Sequence, residues 1–345
     1  MMMRAILCKA WGGPRDLVLE QVPVPEPGPG QVRIAVQAAG VNFADTLMIA
    51  GKYQERPEFP FVPGLEAAGV IDAVGQGVIG IKEGDRVMAI LGRGAFAERA
   101  IAPAEAVFPI PKTMDAPTAA GFPVAYGTSH VALRHRAELK AGETLVVHGA
   151  AGGVGLTAVQ IGKILGATVI GSARGAEKLN VAKLNGATHV IDYGSEDVRQ
   201  RILELTDKRG ADVIYDPIGG DIFDASLRCV AWEGRILTIG YASGRIPSVA
   251  VNVLLVKNAS VIGCYWGGYL KRDPSVIRKS FDELLAWFGD GLLAPHISNT
   301  FQLEETPDAL EMLIARKSTG KVVIVTGITT LSAESRRQRP AAGAK

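Results

Sequence analysis

The stretch Thr144-Leu-Val-Val-His-Gly-Ala-Ala-Gly-Gly-Val-Gly155 decides the fold, because an apolar strand enters a glycine-rich turn and leaves as a helix. Gly152 and Gly153 let the main chain approach phosphate oxygens, and Gly155 permits close packing of helix on strand. The free N–H groups of a helix beginning near Val154 point at the anion. Ala150 stands where the G-x-G-x-x-G pattern has its first glycine. Turns of this kind also arise for packing reasons alone, so the surrounding chain has to decide. A helix over 154–165 leads to a strand over 168–171. Strand signals follow near 189–192, 211–215, 234–239 and 259–264, with helical patterns at 177–184, 195–205 and 221–230. Six strands with crossover helices predict an α/β fold: a doubly wound parallel sheet, the Rossmann arrangement, that binds a nucleotide cofactor.

A chain of 345 residues with 48% hydrophobic content is too long for one ordinary core and suits two domains. The net charge is only +2, and beyond Gly327 the cations Arg336, Arg337, Arg339 and Lys345 oppose Glu334 alone. The body is therefore near neutral and offers no basic stripe to nucleic acid. The tail over 328–345, rich in Ala, Arg and Ser, has the composition of a disordered end. Cys8, Cys229 and Cys264 form no C-x-x-C pair, and the opening residues lack an apolar signal core. No run of about 18 apolar residues suggests a membrane span. A reduced, cytoplasmic setting without a membrane partner is the expectation.

Before position 115 the texture changes to short strands punctuated by Gly and Pro. In Gln31-Val-Arg-Ile-Ala-Val-Gln37 the apolar Val32, Ile34 and Val36 alternate with other residues, and 67–74, 85–91 and 95–102 look similar. This predicts a small, mostly antiparallel barrel or sandwich. Asp115 and Pro117 open a helical stretch that Pro123 ends or bends, and a segment near 126–134 carries the chain into the nucleotide domain. After the sixth strand, Asp273-Pro274 starts an amphipathic helix with Ile277, Phe281, Leu284 and Phe288 on one face. Thr306-Pro307 caps another helix, and 321–326 is a last strand. The expected division gives 1–126 with 267–327 to the substrate and 127–266 to the cofactor. The active cleft then lies between them, beyond the carboxyl ends of the strands.

No G-x-S-x-G elbow, H-E-x-x-H or other metal spacing occurs, and the five histidines read singly as surface or packing residues. Five ordered motifs do stand out. They are Gly40-Val-Asn-Phe-Ala-Asp-Thr46 continuing to Gly51-Lys-Tyr53, Pro60-Phe-Val-Pro-Gly-Leu-Glu-Ala-Ala-Gly69, the turn at 149–155, Tyr215-Asp-Pro-Ile-Gly-Gly220 and Gly234-Arg-Ile-Leu-Thr-Ile-Gly240. In these the chain resembles the zinc-free quinone oxidoreductases, the zeta-crystallin-like branch of the medium-chain dehydrogenase/reductase superfamily. The resemblance runs from about residue 4 to 327. It implies a GroES-like, mostly antiparallel β catalytic domain beside the Rossmann domain. Zinc-dependent members of the superfamily carry Cys, His and Cys at positions that read here as Asn42, Leu65 and Ala120. An amide, an isobutyl and a methyl group do not bind catalytic zinc, so no metal site is expected. Without that Lewis acid the substrate should be electrophilic by itself: a quinone or a conjugated carbonyl compound.

At the end of the second strand, Ser172-Ala-Arg174 offers no carboxylate to repel a 2′-phosphate, so NADPH is the expected cofactor. The resemblance implies that Lys178, Tyr193 and Arg316 join Ser172 and Arg174 around that phosphate. It also implies that Ala151, Gly152, Gly153, Val154 and Gly240 hold the rest of the cofactor. Asn42, Asp45, Tyr53, Thr128 and Tyr265 would surround the nicotinamide and substrate. Asn42 would donate its amide to an oxygen that gains charge. Tyr53 is either a donor to the quinone oxygen or an aromatic wall, and Asp45 reads as a cap on nearby N–H groups rather than a general base. Tyr126 and Thr128 either adjoin the nicotinamide or pack. Tyr265 and Trp266 flank the nicotinamide or the substrate mouth, unless Trp266 only fills the domain junction. A homodimer through 252–264, by strand addition at the open sheet edge, is implied as well. The expected activity is NADPH-dependent, zinc-independent quinone reduction by hydride transfer. The alternatives are an alkenal, enone or enoyl-thioester reductase on the same scaffold, and a non-catalytic cofactor-binding or RNA-binding crystallin-like protein.

Overall fold

The structure, a computed structural model, describes residues 1–328; the tail expected over 328–345 lies, from 329 onward, outside the described residues. Six parallel strands form one sheet in the order His189–Asp192, Thr168–Ala173, Thr144–His148, Ala211–Asp216, Val230–Thr238 and Ser260–Gly263. In chain order that is 3-2-1-4-5-6, so the topological switch falls between Thr144–His148 and Ala211–Asp216. The first strand shows why its sequence is apolar without alternation. Leu145 and Val147 pack in one cluster with Ala158 and Ile161 of the helix Gly153–Ile164. Val146 faces the other way, into a cluster with Ile170, Ile214 and Phe223. Both faces of the sheet are covered, and every position of the strand must be apolar.

A second, seven-strand sheet meets the glycine turn through the bridge between Gly152 and Gly320. Ile297–Gln302, Lys321–Val325, Gln31–Val41, Glu66–Val74, Arg86–Ile90 and Val107–Pro109 lie side by side, with Arg99–Pro103 also on Gln31–Val41. All pairs are antiparallel except Ile297–Gln302 with Lys321–Val325. The strand expected over 31–37 continues to Val41, and irregularities at Arg33/Ile34 and Val36/Ala38 bend it, which lets one strand serve several partners. The expected strand over 95–102 contracts to Arg99–Pro103, because Phe96 bonds instead to Ile6 and Pro63. The core here holds Ile34, Val36, Met48, Phe61, Phe96, Leu310 and Ile324.

Phe43–Ile49 is a helix, as are Pro123–His130, which runs on into a π-helical turn over Val131–Arg136, and Pro274–Gly289. Between 252 and 264 only Ser260–Gly263 is extended, since Val251–Lys257 forms a helix that Asn258 ends in a left-handed conformation (φ 48°).

Candidate active site

The glycine turn closes at the carboxyl end of Thr144–His148. Gly149 has φ 60°, a conformation that favours glycine, and Gly152 is the N-cap of the helix Gly153–Ile164. A Cβ on Gly155 would lie 2.1 Å from the Gly149 carbonyl oxygen, so no side chain fits there. Ala150, in the place of the first glycine, is fully buried and donates its N–H to the Ser172 carbonyl at 3.0 Å. The first intrahelical bond runs from Leu156 to Gly152 at 2.8 Å, which leaves the N–H groups of Gly153, Val154 and Gly155 ahead of it without an intrahelical partner. The second sheet reaches this turn directly: Gly320 N–H donates to the Ala151 carbonyl at 2.7 Å.

Four of the five groups assigned to the 2′-phosphate form two neighbouring pairs. The Arg174 guanidinium stacks 5.7 Å from the centre of the Tyr193 ring. Lys178 donates its ammonium to the Arg316 carbonyl, and Arg316, at φ 55°, donates Nη2 to the Ala242 carbonyl at 2.9 Å. Burial, with Arg316 close by, lowers the Lys178 pKa below the usual lysine value. Ser172 behaves differently. Its side chain is buried and meets His148 Nδ1 at 2.7 Å, while His148 Nε2 meets Ser226 at 2.9 Å, so the Ser172 hydroxyl is turned into the core.

On the opposite wall a buried charge cluster occupies the neighbourhood of Asn42. The Lys321 ammonium, only 6% exposed, donates to Glu66 Oε1 at 2.7 Å, Asn42 Oδ1 at 2.7 Å and the Val41 carbonyl at 3.0 Å. Asn42 Nδ2 donates to Glu66 Oε1 at 2.8 Å and reaches the Gly40 carbonyl at 3.4 Å. Glu66 Oε2 accepts from Val124 N–H, in the first turn of Pro123–His130, at 2.7 Å. The amide orientation is settled by its partners, since the flipped form would set amide nitrogen against ammonium and oxygen against carboxylate. Gly40 makes room for the cluster: a Cβ there would stand 2.3 Å from Glu66 Oε1 and 2.4 Å from the Ala120 carbonyl. Leu65 and Ala120 are buried and carry no ligating atom. A zinc ion does not fit this donor set, because Asn42 already holds a cation and the ammonium would repel another. Among the described residues no group of three or more His, Cys, Asp or Glu side chains is arranged to hold a metal.

Asp45 accepts the Asn42 backbone N–H at 2.8 Å, which caps the helix Phe43–Ile49, while its Oδ1 is buried without a partner. Burial pushes its pKa up to about 7. Tyr53 is half-buried, and burial, with Tyr265, Asp45 and Glu55 nearby, pushes its phenol up to about 12. Tyr265 is about half exposed and borders the Lys271–Glu55 ion pair (3.0 Å). Trp266 is buried instead. Its indole lies against Gly127, where a Cβ would come within 2.5 Å, and makes an edge contact with Phe281 at 6.4 Å, so it fills the junction between helices. Thr128 is buried on the helix Pro123–His130, and Gly240 follows the strand Val230–Thr238 at the same end of the sheet. Sequence reasoning gave no role to Glu66 or Lys321. The signal was present: each is a charge opening an apolar run at the start of a strand, Glu66-Ala-Ala-Gly-Val-Ile71 and Lys321-Val-Val-Ile-Val, and buried charges of opposite sign are found paired.

Residues 28–112 match the family model of the alcohol dehydrogenase GroES-like domain, and 153–288 match that of the zinc-binding dehydrogenases. A quinone oxidoreductase-like protein 2 homolog from Nematostella vectensis is 44% identical over 326 residues, 94% of this chain and 89% of that protein. A quinone oxidoreductase from Pseudomonas aeruginosa is 37% identical over 94% of this chain and the whole of its own. The crystal structure of Escherichia coli quinone oxidoreductase complexed with NADPH superposes with a TM-score of 0.88 at 30% identity, covering 94% of this chain and all of that one.

Proposed function

The chain belongs to the quinone oxidoreductases of the medium-chain dehydrogenase/reductase superfamily, and from that premise we propose that it reduces quinones with NADPH and without zinc. The observation that carries this is the donor set at the superfamily's metal position, where Asn42, Leu65, Ala120 and the Lys321 ammonium leave nothing to bind or tolerate zinc. A substrate reduced there must accept electrons unaided, as a quinone does.

NADPH supplies the hydride. The open N–H groups of Gly153, Val154 and Gly155 receive its pyrophosphate, with Ala151 and Gly152 shaping the turn, and Arg174, Lys178, Tyr193 and Arg316 enclose the 2′-phosphate. Thr128, Gly240 and Tyr265 border the nicotinamide, and Asn42 donates to the substrate oxygen that gains charge. Tyr53 keeps its proton throughout the neutral range and so offers a hydrogen bond to that oxygen, and solvent or Tyr53 supplies the proton. Most of the rate comes from holding the reacting atoms about 3–3.5 Å apart. Residues 1–126 with 267–327 act as the substrate unit and 127–266 as the cofactor unit. A homodimer forms at the outer edge of Ser260–Gly263, where Ile246, Val251, Leu255 and Val256 are exposed.

The alternative on the same scaffold is an alkenal, enone or enoyl-thioester reductase. Rates of NADPH oxidation with 1,4-benzoquinone, a medium-chain enone and a crotonyl thioester, with zinc measured on the same sample, test both. Fastest turnover of the quinone with trace zinc is expected. Stoichiometric zinc, or preference for the thioester, overturns the proposal.

A further inference from the structure

The proposed site has a donor, Asn42, but no metal to make that donor strong. We propose that Lys321 is a positioning residue that does this work through the amide: its ammonium fixes and polarises the Asn42 carboxamide, so that Nδ2–H becomes a better donor to the substrate oxygen. This rests on Asn42 contacting the substrate, as proposed above. Three features of the cluster support it. The ammonium sits on the amide oxygen at 2.7 Å, and withdrawing electron density there makes the N–H protons of the same planar group more acidic. The two Nδ2 protons are unequally held, one at 2.8 Å from Glu66 Oε1 and the other at 3.4 Å from the Gly40 carbonyl, the outer limit of a hydrogen bond. A ligand oxygen can displace the second at little cost. Finally, every donor of Lys321 is used and its side chain is buried, so it does not itself touch the substrate.

The lysine also links the two halves of the site. Gly320, one residue earlier, is bonded to Ala151 of the glycine turn, and a Cβ on Gly153 would lie 3.5 Å from Lys321 Cδ. The amide and the cofactor turn are thus registered on one strand, Lys321–Val325. In the reaction the quinone takes up the hydride with both electrons, which leaves one of its oxygens anionic until Tyr53 or solvent protonates it. The polarised amide acts on that charge while it develops.

The experiment compares the full-length wild type with Asn42→Ala and with the charge-free pair Lys321→Met/Glu66→Gln, which avoids leaving a buried charge unpaired. The readouts are kcat/KM over a series of benzoquinones of graded oxygen basicity, the Kd for NADPH by fluorescence, and the melting temperature. Asn42→Ala should lower kcat/KM about 100-fold, as expected for a strong donor at a developing anion. The charge-free pair should lose about tenfold, with the loss growing with oxygen basicity and vanishing when Asn42 is already Ala, while Kd for NADPH stays within about twofold. A folded charge-free variant with wild-type kcat/KM, or one whose loss persists in the Asn42→Ala background, overturns the role of Lys321 and leaves that of Asn42 standing. An Asn42→Ala variant within about threefold of wild type overturns the substrate contact itself. Should the charge-free variant fail to fold, Asn42→Ala still decides: a loss independent of oxygen basicity marks an unpolarised amide and sinks the proposal.

Discussion

Replacing Asp45 with Asn should make the protein more stable above neutral pH. The Asp45 carboxyl is wholly buried, one of its oxygens has no partner, and its pKa is pushed from 3.8 up to about 7. A raised carboxyl pKa means that the native state prefers the protonated form. The stability associated with that proton is complete below pH 3.8 and is lost as the pH rises through about 7. The whole shift corresponds to about 4 kcal/mol, of which about 3 kcal/mol falls between pH 5 and pH 8. The Asn42 N–H that Asp45 accepts can be accepted equally by an asparagine oxygen, so the helix cap survives the change. With about 2.1 cal/mol/K of unfolding entropy per residue, 3 kcal/mol is about 4 °C in a chain of this length. Melting temperatures of wild type and Asp45→Asn measured from pH 5 to pH 8 should therefore diverge by about 4 °C in favour of the variant. Taking the difference removes every other titrating group. A difference that stays flat across this range would refute the reasoning.

Gly155→Ala should destabilise by about 3 kcal/mol or more, seen as a lower melting temperature with loss of NADPH fluorescence binding, because its Cβ meets a backbone oxygen that cannot yield. Lys178→Ala and Arg316→Ala should each raise the Kd for NADPH about tenfold and leave that for NADH unchanged; equal losses for both nucleotides would place these residues elsewhere than the 2′-phosphate. Trp266→Ala should cost about 3–5 kcal/mol of stability yet leave the ratio of kcat/KM between small and bulky quinones unaltered, since the indole packs on Gly127 and Phe281. The double change Leu255→Lys/Val256→Lys should shift the sedimentation of the protein to that of a monomer, and persistence of a dimer would move the interface away from this face.

The nucleotide sheet was legible in the sequence because its determinants are local. A strand buried on both faces is a continuous apolar run, a phosphate turn needs glycine at fixed offsets, and the helix follows within the same dozen residues, so Thr144 to Gly155 pointed to the fold and the strand and helix signals alternating behind it decided it. That Asn42, Leu65 and Ala120 carry no zinc-ligating side chain was legible too, once the resemblance to zinc-dependent relatives marked those positions. Tertiary structure decided what those positions do instead. Lys321 lies 279 residues from Asn42 and 255 from Glu66, and only the pairing of Lys321–Val325 against Gln31–Val41 brings the three together in a space that Gly40 leaves open. The inward turn of Ser172 and the burial of Trp266 were hidden for the same reason, because their partners His148 and Gly127 are neighbours through packing and not through spacing. Periodicity tells which residues leave water, but which buried polar groups find one another depends on how the sheets close around them.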